Sequence, residues 1–133
     1  MLLAIPLLAI PLVVYNLLAF TRGDIWATTV STVDMVRGDQ FTLSAGGLLV
    51  VVSLLLLFIE ILKSTRTGTG SIVDHLMSVL VFVICLVEFL LLAPAATETF
   101  FILTAMALVD VIAGFSITIR AARRDISVDP NAL

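Results

Sequence analysis

TFFILTAMALVDVIAGFSITI, residues Thr99–Ile119, is the stretch on which the architecture turns. A run of about 20 apolar residues, rising about 1.5 Å each, covers a bilayer hydrocarbon core of about 30 Å. Only one ionisable residue interrupts this run, Asp110, close to its middle. A charged group at that depth costs at least about 2.5–3.5 kcal/mol, and such residues usually face a bundle interior or a cavity. The stretch therefore reads as a membrane span with one face turned toward other helices.

Composition agrees with that reading. Of 133 residues, 61% are hydrophobic and 13% charged, with a mean hydropathy of +1.24. Soluble domains run at about 45–50% apolar and about 25% charged. The expected spans are residues 2–20, 42–62, 72–93 and 99–119, followed by a cytoplasmic tail, 120–133. The fold class is then all-α: a polytopic membrane protein, one domain over 1–133, built as an antiparallel four-helix transmembrane bundle. A secretory signal peptide is the rival reading of the first run. "MLLAIP" lacks a basic n-region and "LLAFTRG" lacks a small-residue cleavage site, so a retained span is expected. Pro6 and Pro11 are expected to kink it, while Tyr15 and Asn16 serve as interface anchors or helix contacts.

Between the first two spans, Trp26, Val30, Val33 and Val36 recur near helical spacing. This predicts a short interfacial helix over 25–36 with Trp26 at headgroup level. After the second span, "KSTRTGTGS" reads as a flexible turn, and Ser71 with Asp74 forms an S-x-x-D capping box that opens the third helix. "APAATET" breaks that helix. Lys63 and Arg66 follow the second span and Arg120, Arg123 and Arg124 the fourth. The positive-inside rule places that side, and both termini, in the cytoplasm of a bacterial inner membrane.

Three acids fall at membrane depth: Glu60, Glu88 and Asp110. On helical wheels of about 100° per residue, Thr42, Gly46, Ser53, Glu60 and Ser64 share an arc of roughly 40°. Asp74, Ser78, Cys85 and Glu88 share about 80° of the third helix. Thr99, Ala107, Asp110, Ala113 and Gly114 lie on one side of the fourth, within about 120°. Gly46, Ser53, Ser78, Cys85, Ala107 and Gly114 are the expected helix-packing positions, since small residues let helices approach closely in lipid. Ordered by depth, Glu88, Asp110, Glu60 and then Asp74 with His75 form a descending series of titratable groups. Lys63 can reach Glu60; no basic residue matches the depth of Glu88 or Asp110.

Three roles fit such acids: hydrogen-bonding glue between helices, a contact for a basic residue in another membrane subunit, or a proton or cation path. One Cys and one His exclude an internal disulfide and argue against haem or zinc chemistry, so no cofactor or metal is expected. No G-x-S-x-G, Ser–Lys or Cys–His spacing suggests a nucleophile, and no catalytic residue is expected. A net charge of −3, without a basic stripe, offers nothing to nucleic acid. Size and span count resemble several small four-span bacterial families, but no motif ties the chain to one. The small multidrug transporters carry their essential glutamate in the first span, which here has no acid. The expected function is a non-enzymatic accessory or assembly subunit acting through intramembrane helix contacts, partnered by the bilayer, by other membrane subunits or by itself. The alternative is a proton or cation channel or transporter using Glu88, Asp110 and Glu60.

Overall fold

A computed structural model of the chain describes residues 5–65 and 70–128. In order it contains α1 (Ala9–Arg22), β1 (Thr29–Asp34), β2 (Gln40–Ser44), α2 (Ala45–Ser64), α3 (Gly70–Leu91), a 3-10 turn (Ala93–Ala95) and α4 (Glu98–Val128). The chain is mostly helical. Three helices are long and apolar enough to cross a membrane: α2, α3 over Ile72–Leu91, and α4 over Glu98–Arg124.

The helix α1 is shorter, at 14 residues, or about 21 Å. Pro6 and Pro11 do not kink it. Pro6 stands ahead of the helix, and its carbonyl accepts from the Ala9 N–H at 3.0 Å, closing a turn that leads into the first helical residue. Pro11 lies in the first turn, where the missing N–H would have had no intrahelical acceptor to lose. The described start at Ala9 is later than the expected span, whose first residues lie outside the described ones.

The helix α4 organises the rest. It packs along both α3 and α2, and 39% of its apolar window is buried, against 22% for α2 and 17% for α3. Leu103, Met106 and Ala107 of α4 join Leu57, Val81 and Cys85 in the core. Leu49, Val50, Ile61, Phe82 and Phe89 pack partly against this core, while residues such as Leu54, Leu55, Phe58, Leu76, Leu80 and Leu90 are exposed, as lipid-facing residues are. Beyond Ile119, the expected end of the span, α4 stays helical through Val128.

The expected interfacial helix at 25–36 is replaced by a β-hairpin. β1 and β2 pair antiparallel, with Val33 opposite Phe41 and Thr32 opposite Thr42. The physical reason lies in composition: Thr28–Val36 is dominated by Thr and Val, whose branching at Cβ favours the pleated strand over the helix. The reversal is a three-residue loop. Gly38 N–H donates to Met35 O at 2.8 Å, Met35 N–H donates to Asp39 O at 2.7 Å, and Gly38 takes φ +93°, a common hairpin geometry that needs glycine at the left-handed position. Thr42 consequently belongs to β2, and α2 starts at Ala45 with Ser44 as N-cap, its Oγ accepting from Gly47 N–H at 3.0 Å. The chain remains mostly helical, consistent with the all-α class, with this small two-stranded sheet added to it.

Trp26 is also placed differently from expectation. It is buried and stacks on Tyr15, centroids 4.4 Å apart and planes 8° apart. Tyr15 meets Phe100 edge-on at 4.8 Å. Its hydroxyl donates to Pro94 O at 2.8 Å and meets Thr97 Oγ1 at 2.6 Å. Thr97 Oγ1 in turn accepts from Phe100 N–H at 3.2 Å, capping α4. One tyrosine thus ties α1, the 3-10 turn and the start of α4 together. Gly46 completes this end: its N–H donates to Trp26 O at 2.9 Å, and a Cβ there would run into Thr99 Oγ1 and lie 3.1 Å from the Trp26 carbonyl.

Tyr15→Phe is expected to destabilise the protein by about 1–3 kcal/mol, because it leaves buried acceptors unpaired. Gly46→Ala is expected to cost about 1–3 kcal/mol through overpacking. Thermal unfolding in mild detergent, followed by circular dichroism, measures both; unchanged midpoints would contradict the described packing.

Candidate functional site

Polar residues from α2, α3 and α4 come together around Asp110. Glu60 is 1% exposed. Its Oε1 lies 2.9 Å from Lys63 Nζ, one turn along α2, and its Oε2 accepts from the Leu7 N–H at 3.0 Å. Leu7 sits just ahead of α1, where the first backbone N–H groups of a helix have no intrahelical acceptor. The carboxylate therefore ends two problems at once: an unpaired ammonium and an orphan amide donor. The Lys63 side chain is 14% exposed, so it is drawn along the helix surface rather than extended into solvent.

Asp110 is 4% exposed on α4. The Ser78 hydroxyl of α3 faces its carboxyl, and Glu60, Lys63 and His75 are its electrostatic neighbours. His75, 8% exposed, lies across α4. Its Nε2 is 2.5 Å from Thr118 Oγ1, and its ring stacks on Phe115 at 5.9 Å. Gly114 makes room for it, because a Cβ at that position would collide with the imidazole. Asp74 is half-buried beside it near the start of α3. Two carboxyls, one ammonium and one imidazole thus share a seam with two hydroxyls.

Glu88 stands elsewhere. Its Oε2 accepts from Asn16 Nδ2 at 2.7 Å, a contact between α3 and α1. It is absent from the electrostatic neighbours of Asp110. The descending series inferred from depth therefore divides in two: Glu60, Asp110 and His75 with Lys63 in one group, Glu88 with Asn16 in another. The side chains that meet Glu88 and Asp110 directly are neutral, Asn16 and Ser78. Asn16 was legible as a polar residue inside an apolar run; its pairing with Glu88 depends on how α1 crosses α3.

The small residues divide by role. Gly46 and Gly114 are close-approach points, and Cys85 and Ala107 are buried in the core. Ser53 is fully buried, yet its hydroxyl donates back to Leu49 O at 2.6 Å on its own helix. Thr104 does the same to Phe100 O at 2.9 Å. Such back-bonding satisfies a hydroxyl in an apolar surrounding without any second helix. Among the described residues no three His, Cys, Asp or Glu side chains converge as metal ligands would.

Comparison with known protein families, with curated proteins and with solved structures finds no match to this chain. What fold and site define is a class: a mostly helical protein with three helices fit to cross a membrane and a buried, titratable cluster between them.

Lys63→Met is expected to destabilise by about 3–5 kcal/mol, since it strands a buried carboxylate. The double variant Lys63→Met with Glu60→Met is expected to recover part of that loss. Unfolding of the two single variants and the double variant in detergent yields the coupling, and additive losses would contradict the pair.

Proposed function

We propose that this chain is a small, non-enzymatic integral membrane protein, acting as an accessory or assembly subunit through helix contacts within the bilayer. The observation that supports this reading is how the membrane-depth polar groups are spent. Glu60, Glu88 and Asp110 each engage a group of the same chain, fastening α2 to the lead-in of α1, α3 to α1, and α4 to α3. What α2 and α3 turn outward is apolar: Leu54, Leu55 and Phe58 on one, Leu76, Leu80 and Leu90 on the other. In a bilayer these faces meet lipid or other helices, and helix packing is the chemistry open to them.

In this reading the helices form an antiparallel bundle, each running opposite to its predecessor. Lys63 and Arg120, Arg123 and Arg124 then gather at the end opposite the hairpin, and the positive-inside rule makes that end cytoplasmic. The hairpin stands on the other side of a bacterial inner membrane. The test is affinity purification of the tagged protein in mild detergent. A stable membrane partner is expected to co-purify, and replacing an outward leucine such as Leu55 by Gln is expected to reduce its recovery. A protein that runs alone at its own mass would refute the accessory role.

A second reading is favoured by one specific observation, the convergence of Glu60, Asp110, Lys63 and His75 in one seam. Ionisable groups grouped inside a membrane mark proton and cation relays. Proton flux into liposomes, lost in Asp110→Asn, would support it; no flux, or flux unchanged by that substitution, would exclude it.

A further inference from the structure

Between the Leu7–Glu60 contact and the hairpin, α1 and α2 leave an opening along their length. They leave a groove of about 310 Å³, within the size range of small-molecule sites. Val14 and Leu18 of α1 form one wall and Leu48, Leu49 and Val52 of α2 the other, with Trp26 also in the lining. Every side chain on the α1 and α2 walls is apolar.

Two features of the groove point to one kind of occupant. The first is length. The groove follows α2 from Ala45 to Leu56, about 16 Å at 1.5 Å per residue, which is about half of a 30 Å hydrocarbon core. That length matches the acyl region of a single leaflet. The second is charge. Val14 and Leu18 are spaced by four, and Arg22 stands one turn further on the same stripe. Arg22 is exposed at the hairpin end, and the ion pairs among the described residues are Arg37–Asp39 and Lys63–Glu60. Arg22 therefore falls in sequence between Leu18 and Ile25, two residues that line the groove. Asp24, also exposed, is the nearby acid in sequence, and it lines a separate pocket beside Ala93 and Pro94.

We propose that this groove is a binding site for one membrane glycerophospholipid, with an acyl chain between α1 and α2 and the phosphate on Arg22. The guanidinium fork matches a phosphate with two parallel hydrogen bonds. The apolar slot holds the chain by shape, because in lipid there is no hydrophobic gain in leaving the bilayer. The site rests on the membrane reading of the chain and is independent of whether the buried acids serve assembly or proton transfer.

Trp26, the only tryptophan in the chain, reports on the groove directly. The purified protein is reconstituted in phosphatidylcholine vesicles containing phosphatidylglycerol brominated along its acyl chains. Trp26 emission is expected to be quenched with the saturation of a single site. Filling the groove with Val14→Phe and Val52→Phe is expected to remove most of that quenching. Leu54→Phe, on an outward face of α2 away from the groove, is expected to leave it intact. Arg22→Gln is expected to weaken quenching by brominated phosphatidylglycerol several-fold but not by a brominated diacylglycerol, which lacks the phosphate. Circular dichroism confirms that each variant is folded. Quenching that survives the filled groove, or falls equally in Leu54→Phe, overturns the site. A filled groove that instead changes the mass of the protein in detergent overturns it too, by showing that a helix of a second copy occupies the slot.

Discussion

A carboxyl group buried among Leu, Val and Phe cannot return to water, so its partners must come from the fold. Glu60 shows how far that demand reaches. Its two oxygens take Lys63 and the Leu7 amide, so one side chain neutralises a cation on its own helix and terminates the lead-in to another. In an environment of low dielectric these contacts are strong when made and costly when broken. The close approach of His75 to Gly114 and of Trp26 to Gly46 follows the same logic. Where a polar group must reach across a helix, the helix gives up its side chain to let it through.

The two ends of the molecule solve this problem differently. At the hairpin end, aromatic rings and neutral hydroxyls do the fastening, through Tyr15, Trp26, Phe100 and Thr97. At the other end, charged groups do, through Glu60, Lys63, Asp110 and His75. The first arrangement has no proton to gain or lose near neutral pH. The second is built from ionisable side chains. Glu88 and Asn16 stand between them in kind, a carboxylate held by a neutral amide.

Much of the helical architecture was legible from hydropathy alone, because length and apolarity are properties of a run of residues and need no neighbours. The second and third runs became helices within a few residues of their expected limits, and the fourth began where expected but ran on to Val128. The loop between the first two did not, since Trp26, Val30, Val33 and Val36 sit at a spacing that mimics a helix, whereas those valines together with Thr28, Thr29 and Thr32 favour a strand. The signal was present in residue type and was overridden by period. Ser53 illustrates a subtler limit: its place on a polar stripe was readable, but its hydroxyl turns back to Leu49 instead of crossing to a neighbour.

What the sequence by itself determined was which residues lie along helices and which polar groups would need shelter, for these depend on composition and on the 3.6-residue turn. Only the tertiary structure decided who shelters whom. Asp110 shares a seam with Ser78, Glu60, Lys63 and His75, while Glu88 turns away to Asn16. The reason is geometric. A helical wheel gives each side chain an angle about its own axis, but the partner depends on how two axes cross and at what height, and those are settled by packing among helices far apart in the chain.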